Sequence, residues 1–335
     1  MPRLRTLLVV LTPRESADFL PNGIWTEVCA LADRVEVLDP TGMTADQFRG
    51  ELARVDPEGL VACWKTPALP VDPPENLKYV CYLAGSVKKL VTRAHLERGL
   101  LVTNWGGSIS RVVAECALMM TLAALRRGGY WIPAMQRDGA WKEPHTETAS
   151  LFGRRVGLHG FGQVAREIIK LLAPFEVDIA LCAPETDPAL YAAYGVRRVH
   201  SLEELFSGCD VIIEAAPLIP ATAGIITESL LRLIRPGGIF VNVARGGLCD
   251  DAALARVARE GRIQMALDVF GLEPLPADSA LRGLPNVILL PHIAGPTTDR
   301  RRDAGAFGLR NLKAYAAGRP LESAVSAQSF ERHSS

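Results

Sequence analysis

The sequence predicts an α/β protein with two doubly wound parallel sheets, and three observations support this prediction. Apolar strands alternate with helices along almost the whole chain, a pattern typical of parallel sheets covered by helices on both faces. The 335 residues exceed the size of one typical core, so two domains are expected. A glycine-rich turn within 156–165, VGLHGFGQVA, opens a second series of strands and helices.

Composition and charge exclude several classes of partner. Hydrophobic residues make up 48% of the chain and charged residues 22%, and the formal net charge is zero. A neutral chain offers no electrostatic reason to bind nucleic acid or an anionic membrane. No apolar stretch is long enough to span a bilayer. The first apolar run meets Pro13, Arg14 and Glu15 at once, which predicts a buried first strand rather than a signal sequence.

The seven cysteines are widely spaced, odd in number, and form no CxxC pair. Most of them lie within predicted strands or helices, where a free thiol behaves as a small hydrophobic side chain. This distribution predicts free thiols in a reducing cytoplasm, and it predicts no metal site.

The first series of strands and helices covers residues 5–104. The predicted strands are 5–11, 34–39, 59–65, 78–85 and 100–104, and the predicted helices are 24–32, 44–53 and 89–98. A helix follows at 110–126 whose middle carries very little charge, so we expect it to be buried between domains or subunits. Residues 128–150 are rich in Gly, Trp and Pro, and we expect an irregular boundary or arm there.

The turn at 160–165 has the pattern G-x-G-x-x-A between a predicted strand and a predicted helix. Gly160 permits the tight turn, and Gly162 leaves no Cβ in the path of a pyrophosphate. Ala165 is small enough for the helix to lie close to the strand, and the helix N-terminus offers free N–H groups to the phosphates. The pattern predicts a dinucleotide site, although glycine pairs at strand ends also occur in plain turns.

The second series continues from this turn. The predicted strands are 177–183, 210–216, 239–244, 265–269 and 287–291, and the predicted helices are 187–194, 227–234, 250–260 and 297–317. The tail beyond Ser326 is expected to be frayed. Arg245, Glu273 and His292 follow the last three strands, at the edge where doubly wound sheets bind their ligands.

Each of these three side chains alone has an ordinary explanation, because Arg245 and Glu273 could be solvated charges and His292 a buried imidazole. Together they suit the reduction of a 2-oxo acid. Arg245 offers a planar fork that holds a carboxylate and polarises the ketone. His292 can donate a proton to the developing alkoxide. Glu273 can hydrogen-bond the other ring nitrogen, which orients the imidazole and favours its protonated form.

Five segments in this order, HGFGQVA, AAPLIPAT, VNVARGGLCD, ALDVFGLEPLP and LPHIAG, resemble the D-isomer-specific 2-hydroxyacid dehydrogenase family. The resemblance implies a Rossmann-type cofactor domain at 104–295, inserted into a flavodoxin-like substrate domain formed by 1–103 and 296–335. It implies an oxidoreductase that transfers a hydride between NAD and a D-2-hydroxy acid or its 2-oxo counterpart. It also implies a homodimer.

The resemblance assigns a role to each motif residue. It makes Arg245 the substrate-binding arginine, Glu273 the orienting carboxylate and His292 the acid/base, and it places Asp268 against the nicotinamide carboxamide. The cofactor positions that it implies are Gly160, Phe161, Gly162, Gln163, Val164, Ala183, Ala216, Pro217, Thr222, Val243, Ala244, Asp268, Ala294 and Gly295.

The resemblance also reaches the first domain. Gly85 and Ser86 match a loop whose backbone N–H groups hold the substrate carboxylate. Lys65 falls where relatives have a substrate-facing side chain, although an exposed lysine at a strand end is the alternative. If Lys65 faces the substrate, a second anionic group on that substrate is favoured.

One departure from the family pattern concerns the cofactor. The family usually has an Asp that accepts the ribose hydroxyls where this chain has Ala183. Glu185 and Asp187 follow, and no Arg or Lys beside them could receive a 2′-phosphate. We therefore expect NAD as the cofactor, with NADP as the alternative.

Other functions within the same family stay open. Phosphite oxidation uses the same Arg, Glu and His set, and Lys65 is compatible with it. Formate dehydrogenase pairs its histidine with Gln, so Glu273 argues against that activity. A dinucleotide-sensing corepressor is a further alternative that the three residues do not exclude. The histidines without motif support, which are assigned no role, are His95, His145, His159, His200 and His333.

Overall fold

The computed structural model describes residues 3–330 and divides the chain into two compact units. One unit contains the residues up to Ile109 and those from Pro296 onward, and the other is Ser110–Gly295. Each unit has its own parallel sheet, of five strands in the first unit and seven in the second. The predicted α/β fold with two parallel-sheet domains is confirmed.

Short strands, most of them apolar, form both sheets, and each pair of neighbouring strands is parallel. In chain order the strands are β1 (Leu4–Val10), β2 (Ala32–Leu38), β3 (Gly59–Ala62), β4 (Tyr79–Tyr82), β5 (Leu101–Thr103), β6 (Arg155–His159), β7 (Asp178–Cys182), β8 (Arg197–Arg198), β9 (Val211–Glu214), β10 (Ile239–Asn242), β11 (Gln264–Leu267) and β12 (Val287–Leu289). The sheet orders are β2-β1-β3-β4-β5 and β12-β11-β10-β9-β6-β7-β8. The order of the second sheet changes direction between β6 and β9, and ligands bind at such a switch point in doubly wound folds.

Helices connect the strands in both units. In chain order they are α1 (Pro13–Phe19), α2 (Asn22–Cys29), α3 (Ala45–Val55), α4 (Arg93–Glu97), α5 (Ser110–Leu125), α6 (Gly128–Arg137), α7 (Gln163–Leu172), α8 (Pro188–Ala193), α9 (Leu202–Gly208), α10 (Glu228–Leu233), α11 (Asp251–Arg259), α12 (Arg301–Ala316) and α13 (Ala327–Phe330). The predicted apolar helix is α5, which packs against α7, β10 and β11 within the second unit. Its buried face accounts for part of the missing charge, since a helix that covers a buried sheet is apolar along that face, whereas Met119 and Leu122 of the same helix are exposed.

Two sequence predictions are wrong. The sequence predicts an irregular stretch over 128–150, whereas its first ten residues form α6, with Pro133 inside the helix. A Cβ at Gly129 would lie 2.9 Å from the carbonyl oxygen of Val287, so close packing on β12 overrides the low helix propensity of glycine. The sequence also predicts fraying beyond Ser326, whereas α13 forms a turn with Phe330 buried. Residues 331–335, with His333, lie outside the described part of the chain.

Two short helices are absent from the sequence prediction, and both begin with a recognisable cap. In α1, Thr12 accepts a hydrogen bond from the backbone of Glu15, and the Glu15 side chain accepts one from the backbone of Thr12. In α9, the hydroxyl of Ser201 accepts from the backbone N–H of Glu204. These T-x-x-E and S-x-x-E patterns are the signal that would have located both helices.

The packing of α12 on α1 in the first unit yields a stability prediction. A Cβ at Gly305 would lie 1.6 Å from the carbonyl oxygen of Phe19, so these helices approach closely only because residue 305 is glycine. We expect Gly305→Ala to lower the free energy of unfolding by roughly 3 kcal/mol, since the backbone must shift. Urea denaturation followed by circular dichroism measures this change.

The matched control is Gly50→Ala, because Gly50 is also helical but a Cβ there would meet nothing within 4 Å. This variant is expected to raise the free energy of unfolding by roughly 0.5–1 kcal/mol, as alanine favours the helix. Equal effects of the two substitutions would show that the α1–α12 contact is not as tight as described.

Candidate functional site

The glycine turn between β6 and α7 forms one wall of the candidate site. Gly160 has a φ of +88°, and a Cβ there would lie 2.7 Å from the Cα of Ala216. No side chain fits between these two backbones, so the turn requires glycine at this position. A Cβ at Gly162 would meet nothing within 4 Å, which leaves open space in front of the first turn of α7. Ala165 is fully buried beneath this turn. The geometry suits a phosphate group at the N-terminus of α7.

The loop after β9 faces this turn and has a fixed shape. The hydroxyl of Thr222 accepts a hydrogen bond from the backbone N–H of Ile219 at 2.9 Å and donates to the carbonyl of Pro217 at 2.6 Å. The backbone N–H of Ala216 donates to the Glu214 carboxylate at 2.8 Å. Predicted cofactor positions Ala216, Pro217 and Thr222 therefore belong to one ordered loop.

A buried ionisable pair lies directly behind the turn, and the sequence analysis missed it. The Nδ1 atom of His159 lies 2.7 Å from Oε2 of Glu214, and the Glu214 side chain has no solvent exposure. The two residues are register partners at the ends of β6 and β9. An ionisable residue at the end of each of two neighbouring apolar strands is the sequence signal that would have suggested them.

Ala183 follows β7 and is buried, so the position of the usual family Asp carries no polar side chain. Its carbonyl accepts a hydrogen bond from the hydroxyl of Tyr191 at 2.8 Å. Asp187 caps α8 through the backbone N–H of Ala189, whereas Glu185 is exposed. The carboxylates at this edge would repel an additional negative charge.

The remaining predicted cofactor positions lie in the same edge of the second sheet or in α7. Phe161 is part of the glycine turn, and its ring lies edge-on to Tyr194 with centroids 5.1 Å apart. The guanidinium of Arg166 lies 4.8 Å from the centroid of the Phe161 ring. Gln163 and Val164 lie in the first turn of α7. Val243 and Ala244 follow β10, and Ala294 and Gly295 lie in the loop after β12.

Arg245 is in the loop that follows β10. Its Nη1 atom donates to the carbonyl of Ala244 at 2.7 Å. A Cβ at Gly246 would lie 1.8 Å from the carbonyl carbon of Phe270, so the loops after β10 and β11 are in backbone contact. Burial lowers the pKa of the Arg245 guanidinium, and the Glu273 carboxylate opposes that shift. An arginine stays charged under such shifts and can bind an anion here.

Glu273 and His292 form a hydrogen-bonded pair. Oε2 of Glu273 lies 2.7 Å from Nδ1 of His292, while Oε1 accepts from the backbone N–H of Phe270 at 3.0 Å. The carboxylate is thus held by its own loop, and it fixes the imidazole. Because Nδ1 faces the carboxylate, Nε2 is the ring nitrogen presented to a substrate. The two side chains are 35% and 42% exposed, so solvent or a ligand can reach them.

Asp268 holds the loop that carries His292. It is fully buried, and its two carboxylate oxygens accept from the backbone N–H groups of Ile293 and Ala294 at 2.8 and 2.9 Å. Its carbonyl accepts from the backbone N–H of His292 at 2.9 Å. Burial raises the pKa of Asp268, and the two backbone N–H groups lower it. Both carboxylate oxygens thus already have backbone partners, and the predicted contact with a nicotinamide carboxamide stays a prediction.

His292 itself has a φ of +54°, the left-handed conformation that non-glycine residues rarely adopt. Such backbone persists only where surrounding contacts determine it, and the three hydrogen bonds to Asp268 supply those contacts. Asp268 therefore acts by positioning the imidazole.

The predicted substrate residues of the first unit lie at the carboxyl ends of its strands. The backbone N–H of Lys65 donates to Glu15 at 3.3 Å. The carbonyl of Gly85 accepts from Asn104 at 2.8 Å, and a Cβ at Gly85 would lie 2.9 Å from the indole of Trp105. The hydroxyl of Ser86 is buried and has no hydrogen-bond partner among the described residues.

Residues 3–330 contain neither a metal-binding cluster nor a membrane-spanning helix. No group of three or more His, Cys, Asp and Glu side chains there is arranged to hold a metal ion. In the same range, the helices are too short or too polar to cross a membrane.

The sequence comparison decides the family. Residues 118–294 match the family model described as D-isomer specific 2-hydroxyacid dehydrogenase, NAD binding domain. The chain belongs to this family. The match lies inside the second unit, so that unit is the NAD-binding domain of a D-isomer-specific 2-hydroxyacid dehydrogenase family member.

The similarity to individual proteins extends beyond residues 118–294 and covers most of the chain. D-3-phosphoglycerate dehydrogenase of Mycobacterium bovis is 32% identical over 302 residues, which cover 89% of this chain and 56% of that protein. The chain thus spans little more than half the length of such curated relatives. The crystal structure of the TT0316 protein from Thermus thermophilus has a TM-score of 0.78 at 27% identity, covering 96% of this chain and 99% of that one.

A more distant structure shows the fold alone. D-mandelate dehydrogenase of Rhodotorula graminis has a TM-score of 0.82 at 23% identity, covering 97% of this chain and 98% of that one. The fold of the 2-hydroxyacid dehydrogenase family therefore accounts for both units of the chain.

Proposed function

We propose that this protein is an NAD-dependent dehydrogenase that interconverts a 2-oxo acid and the corresponding D-2-hydroxy acid. One observation carries the proposal: the Glu273–His292 pair and Arg245 follow three adjacent parallel strands, β11, β12 and β10, in the NAD-binding domain. A cation, an oriented imidazole and a dinucleotide turn at one sheet edge are the groups that this reaction requires.

The chain's own residues bind the substrate and move its proton. Arg245 binds the substrate carboxylate with its guanidinium fork and polarises the adjacent ketone. His292 donates the proton on Nε2 to the ketone oxygen as the alkoxide develops, and Glu273 keeps the ring in that orientation. Bound NADH supplies the hydride. In the oxidative direction, His292 accepts the hydroxyl proton.

The residues present fit NAD. The tight turn at Gly160 and the open space beside Gly162 leave room in front of α7, as expected of a pyrophosphate site. We assign the ribose end to the edge beside Ala183, where Glu185 and Asp187 disfavour the additional phosphate of NADP. NADP is the alternative cofactor that the assay below tests directly.

The first unit has candidate substrate contacts of its own. Gly85 and Ser86 would offer backbone N–H groups to a carboxylate, and the exposed Lys65 would attract a second anionic group if it faces the substrate. The curated relatives include D-3-phosphoglycerate dehydrogenases, so phosphorylated 2-oxo acids are the first substrates to test.

The test is a substrate panel followed by NADH absorbance at 340 nm. The panel contains glyoxylate, pyruvate, hydroxypyruvate, an aryl 2-oxo acid and a phosphorylated 2-oxo acid, each with NADH and with NADPH. We expect turnover of at least one acid, with NADH preferred. Tight NADH binding without turnover of any 2-oxo acid would contradict the proposed activity.

We also propose a homodimer, formed through the α5–α6 surface of the second unit. Large apolar side chains are exposed there, and such patches mark interfaces. The exposed side chains are Met119 (47%), Leu122 (36%), Tyr130 (41%), Ile132 (59%), Met135 (44%) and, just beyond α6, Trp141 (71%).

The dimer gives a mutational prediction. Ile132→Glu is expected to convert the dimer into a monomer at micromolar concentration, because it places a charge in an apolar interface. The control is Val71→Glu, which changes an equally apolar and 70% exposed side chain outside the proposed surface. Light scattering coupled to gel filtration gives the mass. A dimer that survives Ile132→Glu, or a monomeric wild type, would refute this surface as the interface.

The proposed location is the cytoplasm. All seven cysteines are free thiols, as expected in a reducing compartment. Burial raises the pKa of Cys81 to about 12 and that of Cys209 to about 11, so these thiols are unreactive near neutral pH.

A further inference from the structure

The buried His159–Glu214 pair lies at the switch point of the second sheet. His159 ends β6 and Glu214 ends β9, and these are the two strands between which the sheet order changes direction. In doubly wound folds the dinucleotide binds in the crevice above this point. The pair thus occupies the floor of that crevice, although neither residue belongs to the set that carries out the reaction.

We propose that Glu214, together with His159, is a positioning element of the NAD site that sets cofactor affinity by fixing the two walls of the crevice. This inference rests on the proposed use of NAD. One wall is the glycine turn that begins at Gly160, and the other is the loop of residues 215–217.

The hydrogen bonds of the pair connect both walls. One oxygen of Glu214 contacts Nδ1 of His159 at 2.7 Å, immediately before the glycine turn. The other accepts from the backbone N–H of Ala216 at 2.8 Å. The backbone N–H of Ala215 donates to the carbonyl of His159 at 3.0 Å. A single carboxylate therefore holds the start of the turn and the opposite loop at a fixed separation.

The distance between the glycine turn and the loop of residues 215–217 leaves no room for an additional atom. The Cα of Gly160 faces the backbone of Ala216 so closely that even a Cβ would lie 2.7 Å away. A shift of a few tenths of an ångström in either wall would move the backbone N–H groups that face the pyrophosphate. Misplacement of this size lowers affinity because charge-assisted hydrogen bonds depend steeply on distance and angle.

Stability alone gives no reason for an ionisable pair at this place. The residues before it, 156–158 in β6 and 211–213 in β9, are apolar apart from glycine and fully buried. Burying a carboxylate is unfavourable unless it is paired, and apolar residues of similar size are often at least as stable. The backbone N–H of Ala216 and the imidazole of His159, however, both need a hydrogen-bond partner at this place, and an apolar side chain would provide none.

Asp210, the residue immediately before β9, supplies a matched control for Glu214. It precedes β9 at the opposite edge of the sheet and is also buried. Its carboxylate accepts from the backbone N–H of Arg155 at 2.9 Å and pairs with Arg235. Asp210 therefore resembles Glu214 in being a buried, hydrogen-bonded carboxylate, but it lies at the end of β9 that is remote from the crevice.

The experiment measures the NADH dissociation constant by isothermal titration calorimetry and the melting temperature of each variant. We expect Glu214→Leu to raise the NADH Kd roughly tenfold, because the Ala216 N–H loses its acceptor. Glu214→Gln keeps an acceptor and is expected to bind NADH within about threefold of the wild type. Asp210→Leu is expected to lower the melting temperature but to leave the Kd within about twofold.

The double variant His159→Leu/Glu214→Leu separates affinity from stability, because it leaves neither ionisable side chain of the pair without its partner. It is expected to melt at a higher temperature than Glu214→Leu and still to bind NADH roughly tenfold more weakly than the wild type. The inference is overturned if the double variant binds NADH as tightly as the wild type, or if Asp210→Leu weakens binding as much as Glu214→Leu. Failure of the wild type to bind NADH would instead refute the proposed cofactor.

Discussion

His292→Gln is expected to reduce kcat roughly 10²–10⁴-fold, the usual contribution of a positioned general acid. Glutamine can still donate a hydrogen bond to Glu273, so the loop keeps its structure. Its amide N–H is too weak an acid to transfer a proton to the alkoxide, and the loss therefore falls on kcat. Steady-state assays at saturating NADH and 2-oxo acid measure the effect.

The control for this prediction is His200→Gln, since His200 is exposed and lies in the loop that precedes α9. Its kcat should equal that of the wild type. Calorimetry on His292→Gln should show NADH binding similar to the wild type. A His292→Gln variant that keeps kcat within a few-fold of the wild type would show that another group donates the proton.

Arg245→Ala is expected to lower kcat/KM for the 2-oxo acid roughly 10³-fold, because a charge-assisted and bidentate contact to the carboxylate is lost. Arg245→Lys should recover part of this loss, since it restores the charge without the planar fork. Comparing the two variants separates the effect of charge from that of geometry.

Arg262→Ala is the matched control, because Arg262 is exposed and precedes β11 at the opposite edge of the sheet. Its kcat/KM should not change. If Arg245→Ala loses affinity for NADH while turnover at saturating cofactor stays normal, then Arg245 serves the cofactor and its assignment to the substrate carboxylate is wrong.

Much of the fold could be predicted because local patterns determine it. Buried parallel strands are continuous apolar runs, and the glycine turn combines a strand end with a helix start. Helix α6 could not be predicted, since its Gly129 is accommodated by close packing against β12, a contact between residues far apart in sequence. The proposed site residues Arg245, Glu273 and His292 could be predicted to lie together because each follows a strand at the same edge.

The supporting residues were harder to predict. Asp268 acts through backbone N–H groups of the loop at 293–294, and no pattern of side chains reveals such contacts. His159 and Glu214 are 55 residues apart in sequence, and only the pairing of β6 with β9 brings them together. Sequence motifs thus locate the proposed reacting groups, whereas the contacts that orient their side chains depend on strand register.

Deuterium transfer tests the proposed hydride transfer most directly. NADH carrying deuterium at C4 of the nicotinamide, on one face or the other, is incubated with an active 2-oxo acid, and the product is analysed by mass spectrometry and chiral chromatography. We predict one deuterium at C2 of the 2-hydroxy acid, from one labelled face only, and the D configuration. A product without deuterium from either face, or with the L configuration, would contradict the proposed reaction.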